Sequence, residues 1–148
     1  MHRSARLMGC IAVILFGGVL EAHAQFTIRA AAADPVPGWQ KMEAGDHSVW
    51  VSPAASLTSA DIGHFQQITD RDGRTAISIF FTDGGARKMR ELSVAQMNKL
   101  VAMVLDGKVI FAPRIRAEIT KDALITGNGP NGLTPEDVKG LLTALSRK

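Results

Sequence analysis

Beyond residue 24 the chain has no cysteine; its single cysteine is Cys10. No disulfide is available to that part of the chain even in an oxidising compartment, so its stability must come from a buried core. Histidine is nearly as scarce, with only His47 and His64 beyond residue 24. A metal centre would need further ligands from elsewhere, so no metal and no cofactor is expected. None of Ser48, Ser52, Ser56, Ser59, Ser78, Ser93 and Ser146 stands in a nucleophile-elbow context. The run Gly127-Asn128-Gly129-Pro130-Asn131-Gly132 lacks the following Lys-Ser/Thr of a phosphate loop. The formal net charge of +3 is too small to point to nucleic acid, and it falls by one without Arg3, Arg6 and Glu21. Internal repeats and low-complexity tracts are missing as well.

The chain has one long apolar run, residues 11–20, so no transmembrane span is expected after it. Arg3 and Arg6 precede that run, and Ala22-His23-Ala24 follows it as a small-x-small cleavage site. Residues 1–24 therefore read as a signal peptide, with Gln25 as the mature N-terminus and a periplasmic or secreted destination. The run is shorter than the roughly 20 residues that cross a bilayer. An uncleaved N-terminal membrane anchor is the alternative. Cys10 lies before the apolar run rather than after it, which argues against a lipoprotein box. Residues 25–148 suit a single domain.

Residues 25–46 read as a loosely structured arm, because Ala30 to Ala33 leads into Asp34-Pro35-Val36-Pro37-Gly38. Trp39 argues for some packing of that arm. Val49-Trp50-Val51 is a short β-rich run stopped by Pro53. Thr58 to Asp61 suits a helix cap, but residues 62–68 suit a strand as well. The turn cluster Asp70-Arg71-Asp72-Gly73-Arg74 joins residues 62–69 to residues 75–82 as a hairpin.

Asp83-Gly84-Gly85 precedes a helix over 86–98, with Met89, Leu92 and Met97 on one stripe and Ser93 placed to break it. Residues 100–105 and 108–112 form a second hairpin about Asp106-Gly107, where both turn residues tolerate positive φ. Pro113 ends its second strand. Ile115 and Ile119 fall in an irregular arm, and residues 123–126 form a further strand. Thr134 caps a final helix over 135–146, with Pro135 at its first position. The fold class is α+β: an antiparallel or mixed sheet with two hairpins and helices packed on one face, compatible with a ferredoxin-like arrangement.

The wording of several segments goes further. Gly85-Ala86 stands at a helix start. Leu100-Val101-Ala102-Met103-Val104-Leu105-Asp106-Gly107-Lys108-Val109 fills the second hairpin, and Ala112-Pro113 closes it. Ile125-Thr126-Gly127 and Thr134-Pro135-Glu136-Asp137 follow at matching spacing. From Val49 to Leu145 this pattern resembles the head of the first periplasmic domain of SecD, an accessory subunit of the bacterial preprotein translocase. Residues 47–148 are then the SecD-head-like domain. Its signature residues here are Gly85, Leu105, Asp106, Gly107, Val109, Ala112, Pro113, Ile125 and Gly127, with a mainly structural role. Lys121-Asp122 stands where the family often has glycine. SecD continues into a base subdomain and membrane helices, whereas this sequence stops at Lys148, so the expectation is the head without the proton-driven part.

The resemblance implies an exported, non-catalytic binding module that contacts unfolded or extended polypeptide, or translocase and envelope proteins. It would need no nucleic acid and no cofactor. Two alternatives stand beside it. One is a small exported hydrolase using His47 or His64, with Asp46 nearby. The other is a ligand-free structural envelope protein. Arg71, Arg74, Arg87, Lys88, Arg90, Arg114 and Arg116 read as a solvated basic face, with an anionic partner surface as the sharper reading. Met89, Met97 and Met103 read as core rather than as an adaptable groove. Asp83-Gly84-Gly85 reads as a cap rather than an anion site.

Overall fold

The computed structural model describes residues 25–147; the proposed leader lies outside them. In chain order the elements are β1 (Phe26–Ala32), β2 (Gln40–Ala44), β3 (His47–Val51), β4 (Leu57–Thr58), a 3-10 turn (Ser59–Asp61), β5 (Ile62–Thr69), β6 (Thr75–Phe81), α1 (Asp83–Ala95), β7 (Leu100–Leu105), β8 (Lys108–Phe111), β9 (Asp122–Ile125) and α2 (Pro135–Ser146). The strands fall into two sheets rather than one. The larger runs β2-β3-β1-β7-β8, with β4 also paired to β1, and the smaller runs β5-β6-β9. Every ladder between named strands is antiparallel. The class is α+β.

Residues 25–46 are not a loose arm. β1 is the central strand of the large sheet, paired with β7 from Phe26↔Leu105 to Ala31↔Leu100 and with β3 at Ala31↔Val51. β2 forms a hairpin with β3 about Gly45-Asp46, where Gly45 has φ +72°. The alanines carry little β preference of their own. They are strand because neighbours on both sides supply their backbone partners, and Ala31 is fully buried.

β7 is buried along nearly its whole length, which is why its sequence is apolar without alternation. Val101, Met103 and Leu105 enter the main core, while Ala102 and Val104 enter a second one. The main core takes Phe26 and Ile28 from β1, Ile62, Ile77, Ile79 and Ile125 from the small sheet, Met89 and Leu92 from α1, and Val138, Leu141 and Leu145 from α2. The second core, with Ala31, Ala44, Val49, Val51 and Val109, lies inside the curl of the large sheet. That curl brings β2 and β8 to Cα separations within 8 Å, although no ladder joins them.

α1 begins at Asp83 rather than residue 86, because the Thr82 hydroxyl accepts from the Gly85 N–H at 3.0 Å. It ends at Ala95 and is not broken at Ser93. That hydroxyl donates to the Arg90 carbonyl and accepts from the Ile119 N–H, so it anchors the arm instead. Gln96 stops the helix: its side-chain amide donates to the carbonyls of Ala31 and Leu100, tying the helix end to β1 and β7. Residues 58–62 satisfy both earlier readings. The Asp61 carboxylate accepts from the Thr58 N–H across a 3-10 turn, and β5 starts at the next residue.

Candidate binding surface

The signature residues are dispersed through the fold. Gly85 is buried in the first turn of α1, where an added Cβ would run into the Asp61 backbone carbonyl. The Asp61 carboxylate, itself nearly buried, pairs with Lys88 at 2.9 Å. Leu105 is buried at the end of β7, and a Cβ on Gly140 of α2 would meet it at 3.0 Å. Asp106 and Gly107 both have positive φ, 50° and 79°, as a two-residue turn of this kind requires. The Asp106 carboxylate also accepts from the Gln25 N–H at 2.7 Å, clamping the start of β1.

Val109 fills the second core, and Ala112 packs against it. Pro113 ends β8, yet its carbonyl accepts from the Val101 N–H, so the pairing with β7 continues past it. Ile125 is fully buried opposite Ile77. Gly127 has φ +80°, and a Cβ there would lie 2.9 Å from backbone atoms of Gly132 and Leu133.

The hydrolase alternative finds no assembled site. His47 pairs with Asp46 at 3.1 Å in the exposed turn between β2 and β3, and this bond holds the Asp46 carboxyl below its usual range. His64 lies on the other sheet, with its ring 5.7 Å from that of Phe80. Among the described residues no group of three or more His, Cys, Asp or Glu is placed to hold a metal.

Part of the basic set is engaged. Arg74 pairs with Asp70 and Asp72, Lys88 with Asp61 and Arg90 with Glu118. Met89 and Met103 are buried, and Met97 packs against the same core, so these methionines line no groove.

One face stands out by its exposure. On the small sheet, Ile77 and Ile79 point toward the helices, so Ser78 and Phe80 point away from them. In register with these two lie Gln66 and His64 on β5, and Leu124 and Asp122 on β9. Phe80 is 38% and Leu124 42% exposed, and they sit as diagonal neighbours on this helix-free face. The alternation at Ile77 and Ile79 already puts Phe80 on the opposite face of β6, but nothing local places Leu124 of β9 beside it.

The comparisons with known proteins agree with this architecture. The model of the SecDF P1 head subdomain matches residues 38–144. The chain belongs to the SecDF P1 head subdomain family. It is 42% identical over 64 residues to the protein translocase subunit SecDF of Thermus thermophilus, covering 43% of this chain and 9% of that protein. It is 34% identical over 73 residues to the protein translocase subunit SecD of Acidaminococcus fermentans, covering 49% of this chain and 18% of that one. The matched segment thus spans less than a fifth of either relative.

A crystal structure of SecDF in its super-membrane-facing form superposes with TM-score 0.64 at 25% identity, covering 84% of this chain and 19% of that one. A second solved structure comes from work on SecDF as a membrane component that enhances protein export. It has TM-score 0.63 at 24% identity over 84% of this chain and 63% of its own, and shares the fold. Among the described residues no helix is long and apolar enough to cross a membrane.

Proposed function

We propose that this protein is an exported, non-catalytic module that contacts extended polypeptide during or after translocation, in the periplasm or beyond it. Its relatives are protein translocase subunits, which supports the link to translocation. The observation that carries the binding reading is the helix-free face of the small sheet. It presents Phe80 and Leu124 to solvent beside Ser78, Gln66, His64 and the carboxylate of Asp122. Apolar side chains held open on a rigid sheet suit an unfolded chain, which exposes apolar residues that a folded protein hides. The signature residues act as scaffold: they fix the helix start, the β7–β8 turn and the loop before α2, and take no part in chemistry.

Titration of a labelled, permanently unfolded protein and of its folded form onto the purified domain tests this reading. Binding is expected for the unfolded form alone, weakened about tenfold by Phe80→Ser together with Leu124→Ser. Equal binding of both forms would remove the preference for extended chain, and binding of neither would leave a ligand-free structural role.

A further inference from the structure

Among the described residues five strands have an open side, and four of them are protected: β4, paired only to β1, is two residues long. β2 carries Lys41 and Glu43 and turns in toward β8. The edge of β8 is occupied by the Asn128 side chain, which donates to the Val109 carbonyl at 3.1 Å and accepts from the Ala112 N–H at 3.0 Å. β9 has four residues and starts at Asp122, directly after Lys121. Short length, charge and coverage are the devices by which natural sheets keep their edges from pairing with other chains.

β5 has none of these, and its one irregularity, a register shift between Ile62 and His64, lies before the regular stretch His64–Thr69. It runs eight residues, Ile62–Thr69, without a charge or a proline. From His64 to Thr69 it pairs with β6 on one side, and among the described residues no strand lies on the other. His64, Gln66, Gln67 and Thr69 are exposed. On the helix side, Gln67 borders a groove of about 520 Å³, whose walls include Leu133, just before α2, and Pro135 and Val138 at its start.

We infer that the edge of β5 from His64 to Thr69 is a strand-addition site, and that its occupant is an extended, uncharged stretch of polypeptide with an apolar residue directed into the Gln67–Leu133–Val138 groove. This rests on the polypeptide-contact reading above and gives it a binding mode. A row of outward backbone N–H and C=O groups is matched only by another extended backbone. Alternate side chains of the added strand fall on opposite faces. One set meets the groove beside α2, and the other continues the helix-free face next to His64, Gln66 and Ile68. The lack of charge along β5 means that no residue selects for a charged sequence, so recognition is tolerant and depends on backbone geometry.

The experiment uses a synthetic peptide of alternating valine and threonine, and the same peptide N-methylated at alternate backbone nitrogens. Amide hydrogen exchange is read with and without peptide. Binding should slow exchange along residues 64–69 and leave 122–125 unchanged, and methylation on the pairing edge should weaken affinity about tenfold or more. Binding without protection of β5, protection at β9 instead, or equal affinity for both peptides would overturn the edge mode while leaving polypeptide contact standing. Protection of β5 that rises with protein concentration alone would identify a second copy of this chain as the occupant and overturn it too. No binding of the peptide or of unfolded protein would remove both readings.

Discussion

The Asn128 side chain bonds to a carbonyl and an N–H of the same strand edge, as the backbone of a neighbouring strand would. It lies where the β2–β3 turn approaches: a Cβ on Gly45 would stand 3.1 Å from the Asn128 Cβ. Asn128 therefore fills the seam that the ladder leaves open between β2 and β8. Asn128→Ala is expected to leave two partly buried backbone groups unpaired and to cost about 1–3 kcal/mol. Asn131→Ala, in the same loop but exposed, serves as the control. Chemical denaturation compares the two, and equal stability would show that water replaces the amide without loss. Residues 127–132 read as loop from sequence, and correctly so. The partners of Asn128 lie 16 and 19 positions away, so nothing local reveals its role. Asp106-Gly107 is the opposite case, because its conformation is demanded by the two residues themselves.

At the scale of elements, the two hairpins were legible because each joins β-rich runs through a turn of strong local preference. The final helix was legible from Thr134 and Pro135. β1 was not, since its Ala-rich sequence draws its strand character from β3 and β7, both distant in the chain. The β5–β6 turn shows how such a local signal is held in place. The backbone N–H of Arg74, opposed by burial and aided by the N–H of Asp72 and the Arg74 guanidinium, keeps the Asp70 carboxyl below its usual range. The bonds from the Arg74 N–H and guanidinium measure 2.9 and 2.8 Å. A folded-state pKa lower than the unfolded one gives stability that is present above the unfolded value, 3.8, and is lost as pH falls through the folded value. Asp70→Asn should therefore be less stable than the parent at neutral pH, and the two should converge in acid. A gap between their thermal midpoints that does not change with pH would show that the charge contributes nothing.

For the whole molecule, the proposed leader would end close to the start of the central strand. β1 begins at Phe26, one residue beyond the cleavage site proposed after Ala24. A cut there would remove the leader without shortening the strand on which both cores depend. It would also change the group at Asp106. The backbone nitrogen of Gln25, now 2.7 Å from the Asp106 carboxylate, would become an α-ammonium with the carboxylate already in place. The peptide bond's single donor would become a charged group that the turn between β7 and β8 can hold. Processing would then strengthen the clamp at the start of β1, where an uncut chain has only a neutral N–H. Intact-mass measurement of the exported protein should give residues 25–148. Asp106→Asn should destabilise that processed form more than the uncut precursor, because only the former carries the ion pair. A mass that retains Met1, or an equal effect of the substitution on both forms, would break the link between processing and the Asp106 clamp.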